Sequence, residues 1–281
     1  MLFVKMNVEE FFKLFLIELE QNPNLRNYYK FLNNSSGFQF RKAYFCQRLQ
    51  YIIDNIPNSN LDIWDCGCGY GTTGIFLSLN GIKTHGSTLE FYYKEIPARL
   101  EYWKKYGDPT LFSYSYENIF DTAVVPASKD MIIVQDTLHH LEPLQDALKL
   151  FYKILRPGGK LLAVEENGNN IIQNLKLFLQ RGNKRIIEVY DEHLKKNIIM
   201  GNENIRGFKE WKKELNKGKF EIVNDTTQYI RLYPPFVFKN NNTKKLIERE
   251  QQLWKNNSFL KEKFFFGLNF IADKSVGGRN P

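Results

Sequence analysis

The order of strand-like and helix-like segments predicts an α/β chain with a doubly wound, mostly parallel, seven-stranded sheet and helices on both faces. Two observations carry this prediction. From about Asn60 to residue 166, short apolar segments alternate with helix-like segments, and a dense glycine cluster directly follows the first apolar segment. Strands that alternate with crossover helices form a parallel sheet that is covered on both faces.

Each element of this sheet has a local signal in the sequence. Apolar runs predict the strands, at residues 61–65, 82–88, 111–114, 130–135, 160–165, 220–223 and 264–272. Helical periodicity predicts the helices, at residues 73–79, 89–106, 143–155, 171–181, 204–216 and 243–260. The breaker cluster Arg-Pro-Gly-Gly at residues 156–159 ends one helix and turns the chain into the next strand.

We expect a single domain over residues 1–281, because the two late strands can complete the same sheet. Its expected parts are an N-terminal helical lid (1–58), a ligand-binding core (59–166), a substrate-side insertion (167–219) and the final strands with an intervening helix (220–274).

The composition excludes wholesale disorder and leaves several kinds of partner open. The 281 residues are 43% hydrophobic and 15% aromatic, which is ample for a large core. The net charge of +8 admits an anionic partner, but the basic residues are dispersed, unlike those of a nucleic-acid groove. Three cysteines cannot form a disulfide framework, and no segment is apolar enough to span a membrane. We therefore expect a soluble cytoplasmic protein.

The turn after the first strand carries the strongest functional signal. It reads LDIWDCGCGYGTTG over residues 61–74. Its glycines allow a sharp turn and a close approach of a ligand at the end of the strand. The spacing Gly69-x-Gly71-x-x-Gly74 fits the dinucleotide fingerprint. However, the carboxylate of Asp65 lies at the mouth of the loop. It would repel a pyrophosphate, whereas it suits a ligand with an ammonium group.

The whole string resembles motif I of class I S-adenosylmethionine-dependent methyltransferases, an acidic residue followed by x-Gly-x-Gly-x-Gly. The segments DMIIVQDTLHHLEP (130–143) and LRPGGKLLAVEE (155–166) are similar to the family's fourth strand and its turn into the fifth. The resemblance covers roughly residues 40–166. It implies a Rossmann-like fold and S-adenosylmethionine as the cofactor.

The resemblance also implies that the ends of several strands hold this cofactor. At the end of the second strand, Thr88 stands where the family usually has an acidic residue, as in relatives of cyclopropane fatty acid synthase. Either Thr88 or Glu90 would bind the ribose, and a carboxylate can accept from both hydroxyls. The expected cofactor-binding residues are Asp65, Gly67, Cys68, Gly69, Gly71, Thr88, Leu89, Glu90, Glu117, Asn118, Ile119 and Gln135.

The candidate catalytic residues Asp136, His139 and His140 follow the fourth strand, beside the expected site of methyl transfer. A hydroxyl acceptor needs a base or a metal to remove its proton. One histidine acts as the base, or both pack the following helix; the sequence leaves both readings open. The spacing of the three residues is similar to the acid-x-x-acid-His metal site of ubiquinone-biosynthesis O-methyltransferases. Because His139 replaces a carboxylate of that site, we expect no metal.

Polar and basic residues after the fifth strand predict the substrate site. Residues 165–170 are rich in carboxylates and carboxamides, which suit sugar hydroxyls. The basic stretch at residues 181–185, with Lys195, Lys196 and Arg206 further along the chain, could hold a phosphate. The Tyr-Pro-Pro-Phe turn at residues 233–236 would border the pocket. The expected substrate-binding residues are Glu166, Asn167, Asn170, Arg181 and Tyr233.

We therefore expect an S-adenosylmethionine-dependent methyltransferase that acts on a polar small molecule. O-methylation of a phosphorylated or nucleotide-linked sugar, a carbohydrate modification, is the favoured reaction. One alternative is a nucleic-acid methyltransferase, which the charge of +8 motivates. The other is an NAD(P)-dependent oxidoreductase, which the dinucleotide fingerprint motivates. The sequence does not indicate the oligomeric state.

Overall fold

A mostly parallel sheet runs through the middle of the molecule. In the computed structural model, which describes residues 5–33, 35–89, 91–239 and 241–275, eight strands belong to this sheet and two more form a separate hairpin. The ten strands are β1 (Ile63–Cys66), β2 (Thr84–Thr88), β3 (Phe112–Tyr116), β4 (Lys129–Gln135), β5 (Leu155–Glu166), β6 (Ile186–Asp191), β7 (Lys196–Gly201), β8 (Phe220–Ile222), β9 (Gln228–Ile230) and β10 (Gly267–Lys274).

The strand order of the sheet is β3-β2-β1-β4-β5-β10-β8, and the short β9 also pairs with β10. Strands β1 to β5 pair in parallel, whereas β10 runs antiparallel to β5, β8 and β9. This arrangement confirms the predicted doubly wound, mostly parallel sheet, with β9 as an added strand. The winding direction changes between β1 and β4, and ligands bind outside the carboxyl ends of the strands at such a switch point.

Helices cover both faces of the sheet. They are α1 (Val8–Gln21), α2 (Pro23–Tyr29), α3 (Phe38–Asp54), α4 (Thr72–Leu79), α5 (Ile96–Trp103), α6 (Leu144–Ile154), α7 (Ile171–Arg181), α8 (Phe208–Lys217), α9 (Thr243–Asn256) and α10 (Ser258–Phe264). The helix predicted at 243–260 is divided in two, because the Asn257 side chain accepts a hydrogen bond from Leu260 N and caps α10. The helix predicted at 89–106 is shorter, and residues 91–95 form a 3₁₀ turn before it.

Both faces of the central strands are buried, which explains their continuous apolar sequences. In β1, Ile63 points into the core under α1, α4 and α5, while Trp64 points into the opposite core with Phe151 of α6 and Trp211 of α8. Successive side chains of a strand point to opposite faces, so a strand that is covered on both sides has no polar face.

The N-terminal helices are joined to the glycine-rich turn by a buried ion pair. Arg99 of α5 donates from Nε and Nη2 to the two carboxylate oxygens of Glu18 in α1, at 2.8 Å each. The Nη1 atom of the same guanidinium donates to Tyr70 O and to Thr72 Oγ1, both at 2.7 Å. Both charged side chains are almost fully buried. The turn after β1 is therefore held from the side of the N-terminal helices.

The segment between β5 and β8 contains a hairpin that the sequence analysis did not predict. Strands β6 and β7 pair only with each other, apart from an isolated bridge between Leu141 and Met200. This bridge ties the hairpin to the chain just after β4. None of the helices in the described part of the chain combines the length and the apolar character needed to cross a membrane.

Candidate active site

A cavity of about 690 Å³ opens at the carboxyl ends of β1, β2 and β4. The glycine-rich turn and the chain after β4 form its floor, helices α2 and α3 form one wall, and the hairpin β6–β7 forms another. The cavity therefore lies at the switch point of the sheet, where ligand binding is expected.

The glycine-rich turn needs glycine at two positions for different reasons. Gly67 has a φ of +87°, and a Cβ atom there would lie 2.1 Å from Oγ1 of Thr137 in the chain after β4. Gly71 has a φ of +73°, and a Cβ atom would lie 2.6 Å from Cε1 of Phe112 in β3. Side chains at either position would be strained and would collide with neighbouring strands. The turn therefore lets the backbone lie directly against the cavity.

Asp65, at the end of β1, is a buried carboxylate that faces this cavity. Its side chain is 1% exposed, and Oδ2 has no hydrogen-bond partner among the described residues. Burial raises the pKa of Asp65 to about 7. An unpaired buried carboxylate is costly unless a positive group approaches it. This site therefore fits a ligand that carries an ammonium group.

His139, after β4, is held by a carboxylate of the adjacent strand. Its Nδ1 lies 2.5 Å from Oε2 of Glu165 in β5, while Oε1 of Glu165 accepts from the backbone N–H groups of Thr137 and Leu138. Burial alone lowers the pKa of His139, but the Glu165 carboxylate outweighs it and raises the pKa to about 9. The imidazole is thus fixed with Nε2 toward the cavity.

His140 and Glu203 complete a cluster with this histidine. Nδ1 of His140 donates to the carbonyl oxygen of Gly201, at 2.8 Å, which ties the imidazole to the end of β7. The Glu203 carboxylate lies 3.6 Å from Nε2 of His139 and 3.9 Å from Nε2 of His140. All three side chains line the cavity. Glu203 follows the hairpin, and nothing in its local sequence marked it as a site residue.

Comparison with known proteins gives one match to a family and one to a curated protein. Residues 64–163 match the family model described as a methyltransferase domain. A hybrid PKS-NRPS synthetase of Trichoderma harzianum is 29% identical over 170 residues, which are 56% of this chain and 4% of the synthetase. The chain thus spans a small fraction of the length of that relative.

Solved structures share the fold. A methyltransferase of Methanosarcina mazei described as S-adenosylmethionine-dependent has 18% identity and a TM-score of 0.54, over 80% of this chain and 97% of that one. A geranyl diphosphate methyltransferase in complex with the cofactor has 15% identity and a TM-score of 0.56, over 85% of this chain and 90% of that one.

Residues 64–163 therefore form a methyltransferase domain, and the chain has the fold of S-adenosylmethionine-dependent methyltransferases. The family match confirms the enzyme class and the cofactor that the resemblance implied, and it sets aside the oxidoreductase alternative. The cofactor carries an ammonium group, so the unpaired Asp65 carboxylate fits its methionine end.

Most of the expected cofactor residues of this methyltransferase line the cavity. They are Asp65, Gly67, Cys68, Gly69, Thr88, Leu89, Glu117, Asn118, Ile119 and Gln135. Gly71 lies one turn further on, directly before α4, and is not part of the lining. Glu90 lies outside the described residues, so the choice between Thr88 and Glu90 for the ribose stays a prediction.

Two of these residues have further partners that position them. The Glu117 carboxylate accepts from Ser115 Oγ at 2.9 Å and Thr122 Oγ1 at 3.1 Å. The His85 imidazole, whose Nε2 lies 3.9 Å from Oε1 of Glu117, and these two hydroxyls together lower the pKa of Glu117, although burial opposes the shift. Oε1 of Gln135 accepts from Thr73 Oγ1 at 3.1 Å. Both side chains are therefore fixed at the cavity edge.

Asp136 is committed to an ion pair across the cavity. Its backbone has a φ of +49°, and its Oδ2 accepts a hydrogen bond from Nη2 of Arg48 in α3. Oδ1 of Asp136 and Nε of Arg48 are buried and have no hydrogen-bond partner within the described parts of the chain. Asp136 therefore lines the cavity as half of a charge pair, and sequence reasoning missed Arg48.

Of the expected substrate residues, the structure places only Glu166 in the cavity lining. Asn167 and Asn170 are fully buried, and their side-chain amides donate to backbone carbonyl groups at residues 261–265. Arg181 donates to Glu203 O at 3.2 Å, and Tyr233 packs beside α9. The carboxamides that suggested sugar binding hold the chain after β5 against α10. These four residues lie outside the cavity lining, and their part in substrate binding stays a prediction.

Proposed function

We propose that this methyltransferase transfers a methyl group to a hydroxyl oxygen of a polar, sugar-like small molecule. The observation that supports this proposal is the convergence of His139, His140 and Glu203 on the cavity. Methylation of a hydroxyl group releases one proton, and general bases accept such protons when they lie within hydrogen-bond reach of the acceptor. His140 and Glu203 supply the proton-accepting imidazole and carboxylate of this cluster. His139, whose pKa the Glu165 carboxylate raises to about 9, carries a positive charge near neutral pH and orients the Glu203 carboxylate.

The charges of the cavity favour an acceptor without a phosphate. Arg48 is already paired with Asp136, and Nη2 of Arg231 lies 4.0 Å from Oε1 of Glu166. Three arginines line the cavity, at positions 41, 48 and 231, but the same lining holds more carboxylates than guanidinium groups. An anionic acceptor would meet those carboxylates, so we propose a neutral polar acceptor in place of the phosphorylated sugar.

The basic residues that suggested a phosphate are engaged elsewhere. Arg206 contacts Glu142 at 2.8 Å and stacks on Trp211, and Lys196 pairs with Asp121. These contacts use their charges within the protein. The phosphate component of the sequence prediction therefore has no support from these side chains.

Aromatic side chains supply the apolar part of the cavity. The Tyr44 ring lies between two guanidinium groups, with the Cζ atoms of Arg48 and Arg231 at 4.9 and 4.8 Å from its centroid. Tyr70 and Tyr92 stack with centroids 4.3 Å apart. Aromatic faces beside polar groups suit a molecule with hydroxyl groups on a ring.

A panel assay tests the proposal. Purified enzyme, S-adenosylmethionine and candidate acceptors (free sugars, nucleotide-linked sugars, phenols and RNA) would be followed by release of S-adenosylhomocysteine. We expect turnover with a neutral hydroxyl acceptor and none with RNA. With that acceptor, we expect His139→Ala and His140→Ala to lower kcat by about 100-fold or more. The matched control is His193→Ala, whose side chain lies outside the cavity lining.

Two outcomes would contradict the proposal. Near-wild-type turnover in both cavity variants would exclude the cluster from the reaction. Methylation confined to RNA, with binding that weakens steeply as salt increases, would favour the nucleic-acid alternative.

A further inference from the structure

We propose that His139, His140 and Glu203 bind a divalent transition-metal ion such as Zn²⁺ at the acceptor end of the cavity. Two imidazole nitrogens and a carboxylate oxygen of these residues lie within 4.8 Å of one another. All three line the same cavity. This inference replaces the expectation of no metal, which considered Asp136 and not Glu203.

Both imidazoles are oriented as metal ligands are. Nδ1 of His139 is engaged by the Glu165 carboxylate, and Nδ1 of His140 donates to the Gly201 carbonyl. A metal-binding histidine almost always donates its second ring nitrogen to a carboxylate or a backbone carbonyl, which fixes the tautomer. In both residues this leaves Nε2 directed at Glu203.

The separations between these atoms suit an ion better than direct hydrogen bonds. The two contacts from Nε2 to the Glu203 carboxylate are 3.6 and 3.9 Å, beyond the usual N–H···O range. Two ligands that each lie ~2.1 Å from a tetrahedral ion are about 3.4 Å apart. All three ligand atoms lie within 4.8 Å of one another, so side-chain movements of about an ångström would close the cluster around an ion.

The backbone holds Glu203 at this place. Glu203 has a φ of +53°, and its carbonyl oxygen accepts from Ile205 N at 2.7 Å and from Arg181 Nη2 at 3.2 Å. Gly201 lies so close to the chain after β4 that a Cβ atom would be 2.0 Å from His139 O. The packing of the hairpin against the chain after β4 therefore places the Glu203 carboxylate opposite the two histidines.

Three protein ligands leave at least one coordination position for another molecule. The part that the ion would play in catalysis rests on the proposed function, whereas its binding does not. With the ion bound, these residues would act as ligands and not as the base. A bound acceptor hydroxyl would then lose its proton to water, and its oxygen would form the O–CH₃ bond. The S–CH₃ bond would break with its electron pair kept by sulfur, which gives S-adenosylhomocysteine.

The test measures metal binding directly, with activity as a separate readout. Protein treated with EDTA and desalted would be titrated with Co²⁺, followed by its visible spectrum, and with Zn²⁺ by calorimetry. We expect one equivalent to bind, and Glu203→Gln and His140→Ala to weaken this binding at least tenfold. Glu188→Gln, an exposed carboxylate of β6, is the matched control and should bind as wild type does. Retained binding of S-adenosylhomocysteine shows that each variant is folded.

The results separate the two proposals. No stoichiometric binding of Co²⁺ or Zn²⁺, or binding that both cluster variants leave unchanged, would overturn the metal site. In that case, hydroxyl methylation that still requires His139 and His140 would leave the proposed function standing. Metal binding with methylation of RNA only would instead support the metal site and overturn the proposed acceptor.

Discussion

Ionisation of Asp65 should make cofactor binding depend on pH. Burial raises the pKa of this carboxyl group to about 7, and Oδ2 has no hydrogen-bond partner in the described segments. The cofactor and S-adenosylhomocysteine both carry an ammonium group. A positive partner favours the carboxylate, so the pKa of Asp65 must fall in the complex. Binding should therefore release a proton at pH values between the lowered pKa of the complex and about 7.

The size of the effect follows from this one pKa. One pH unit below the pKa, about one-tenth of the free enzyme carries the carboxylate that the ligand prefers. The Kd for S-adenosylhomocysteine should therefore be about tenfold weaker near pH 6 than near pH 8, which corresponds to ~1.4 kcal/mol. Burial also raises the pKa of the thiols of Cys66 and Cys68, so these neighbours stay neutral over this range.

Calorimetry with S-adenosylhomocysteine at about pH 6 and pH 8 checks this expectation. Two buffers with different ionisation enthalpies at each pH would count the protons released. Asp65→Asn should remove the pH dependence and weaken binding near pH 8 by at least tenfold, because the ammonium group loses its carboxylate partner. Asp225→Asn removes an exposed carboxylate in the 3₁₀ turn between β8 and β9, and this variant should behave as wild type.

Stability gives a second readout with a defined sign. The ordinary pKa of an Asp side chain is 3.8, and the pKa of Asp65 in the folded protein is about 7. The ligand-free protein should therefore lose stability as the pH rises between these values, by about 4 kcal/mol for this group. Asp65→Asn should lack that loss. Equal affinity of the wild type at both pH values, or a pH dependence that survives in Asp65→Asn, would refute the reasoning.

Three further substitutions separate stability from binding. Glu18→Gln leaves the buried Arg99 charge without its carboxylate, so urea unfolding should show a loss of about 3–5 kcal/mol. Gly67→Ala brings a Cβ atom against Thr137, so S-adenosylhomocysteine binding should be lost in calorimetry; retained affinity would contradict the tight turn. Asn167→Ala removes buried hydrogen bonds outside the cavity, so it should lower Tm while KM for the cofactor is unchanged.

The sequence predicted the sheet well because burial on both faces leaves a local trace. Strands such as β4, with Met131 to Val134 fully buried, are continuous apolar runs between breakers. The hairpin β6–β7 left no such trace. Most residues of β6 are exposed, including Ile186, Val189 and Tyr190. Since the strand has no buried face, its sequence does not alternate regularly between apolar and polar residues, which is the pattern that predicts a half-buried strand.

The sequence likewise predicted one part of the candidate site and not the other. The expected cofactor residues follow the ends of successive strands. Since the carboxyl ends of parallel strands meet at one edge of the sheet, the sequence also predicts that these residues lie close together. The sequence could not place Asn167 and Asn170, because the same residue type serves as an amide that binds a sugar and as an amide that donates to backbone carbonyl groups. Only the packing of α10 against the chain after β5 distinguishes the two roles.

The acceptor end of the cavity depends on two segments that are distant in sequence. His139 and His140 come from the core, and Glu203 comes from the insertion. The Leu141–Met200 bridge and the hydrogen bond from His140 to Gly201 O join these segments. A change in the hairpin would therefore move Glu203 relative to both histidines while leaving Asp65 and the glycine turn in place. It follows that substitutions in the hairpin can alter the proposed acceptor or metal specificity while the turn that is expected to hold the cofactor stays unchanged.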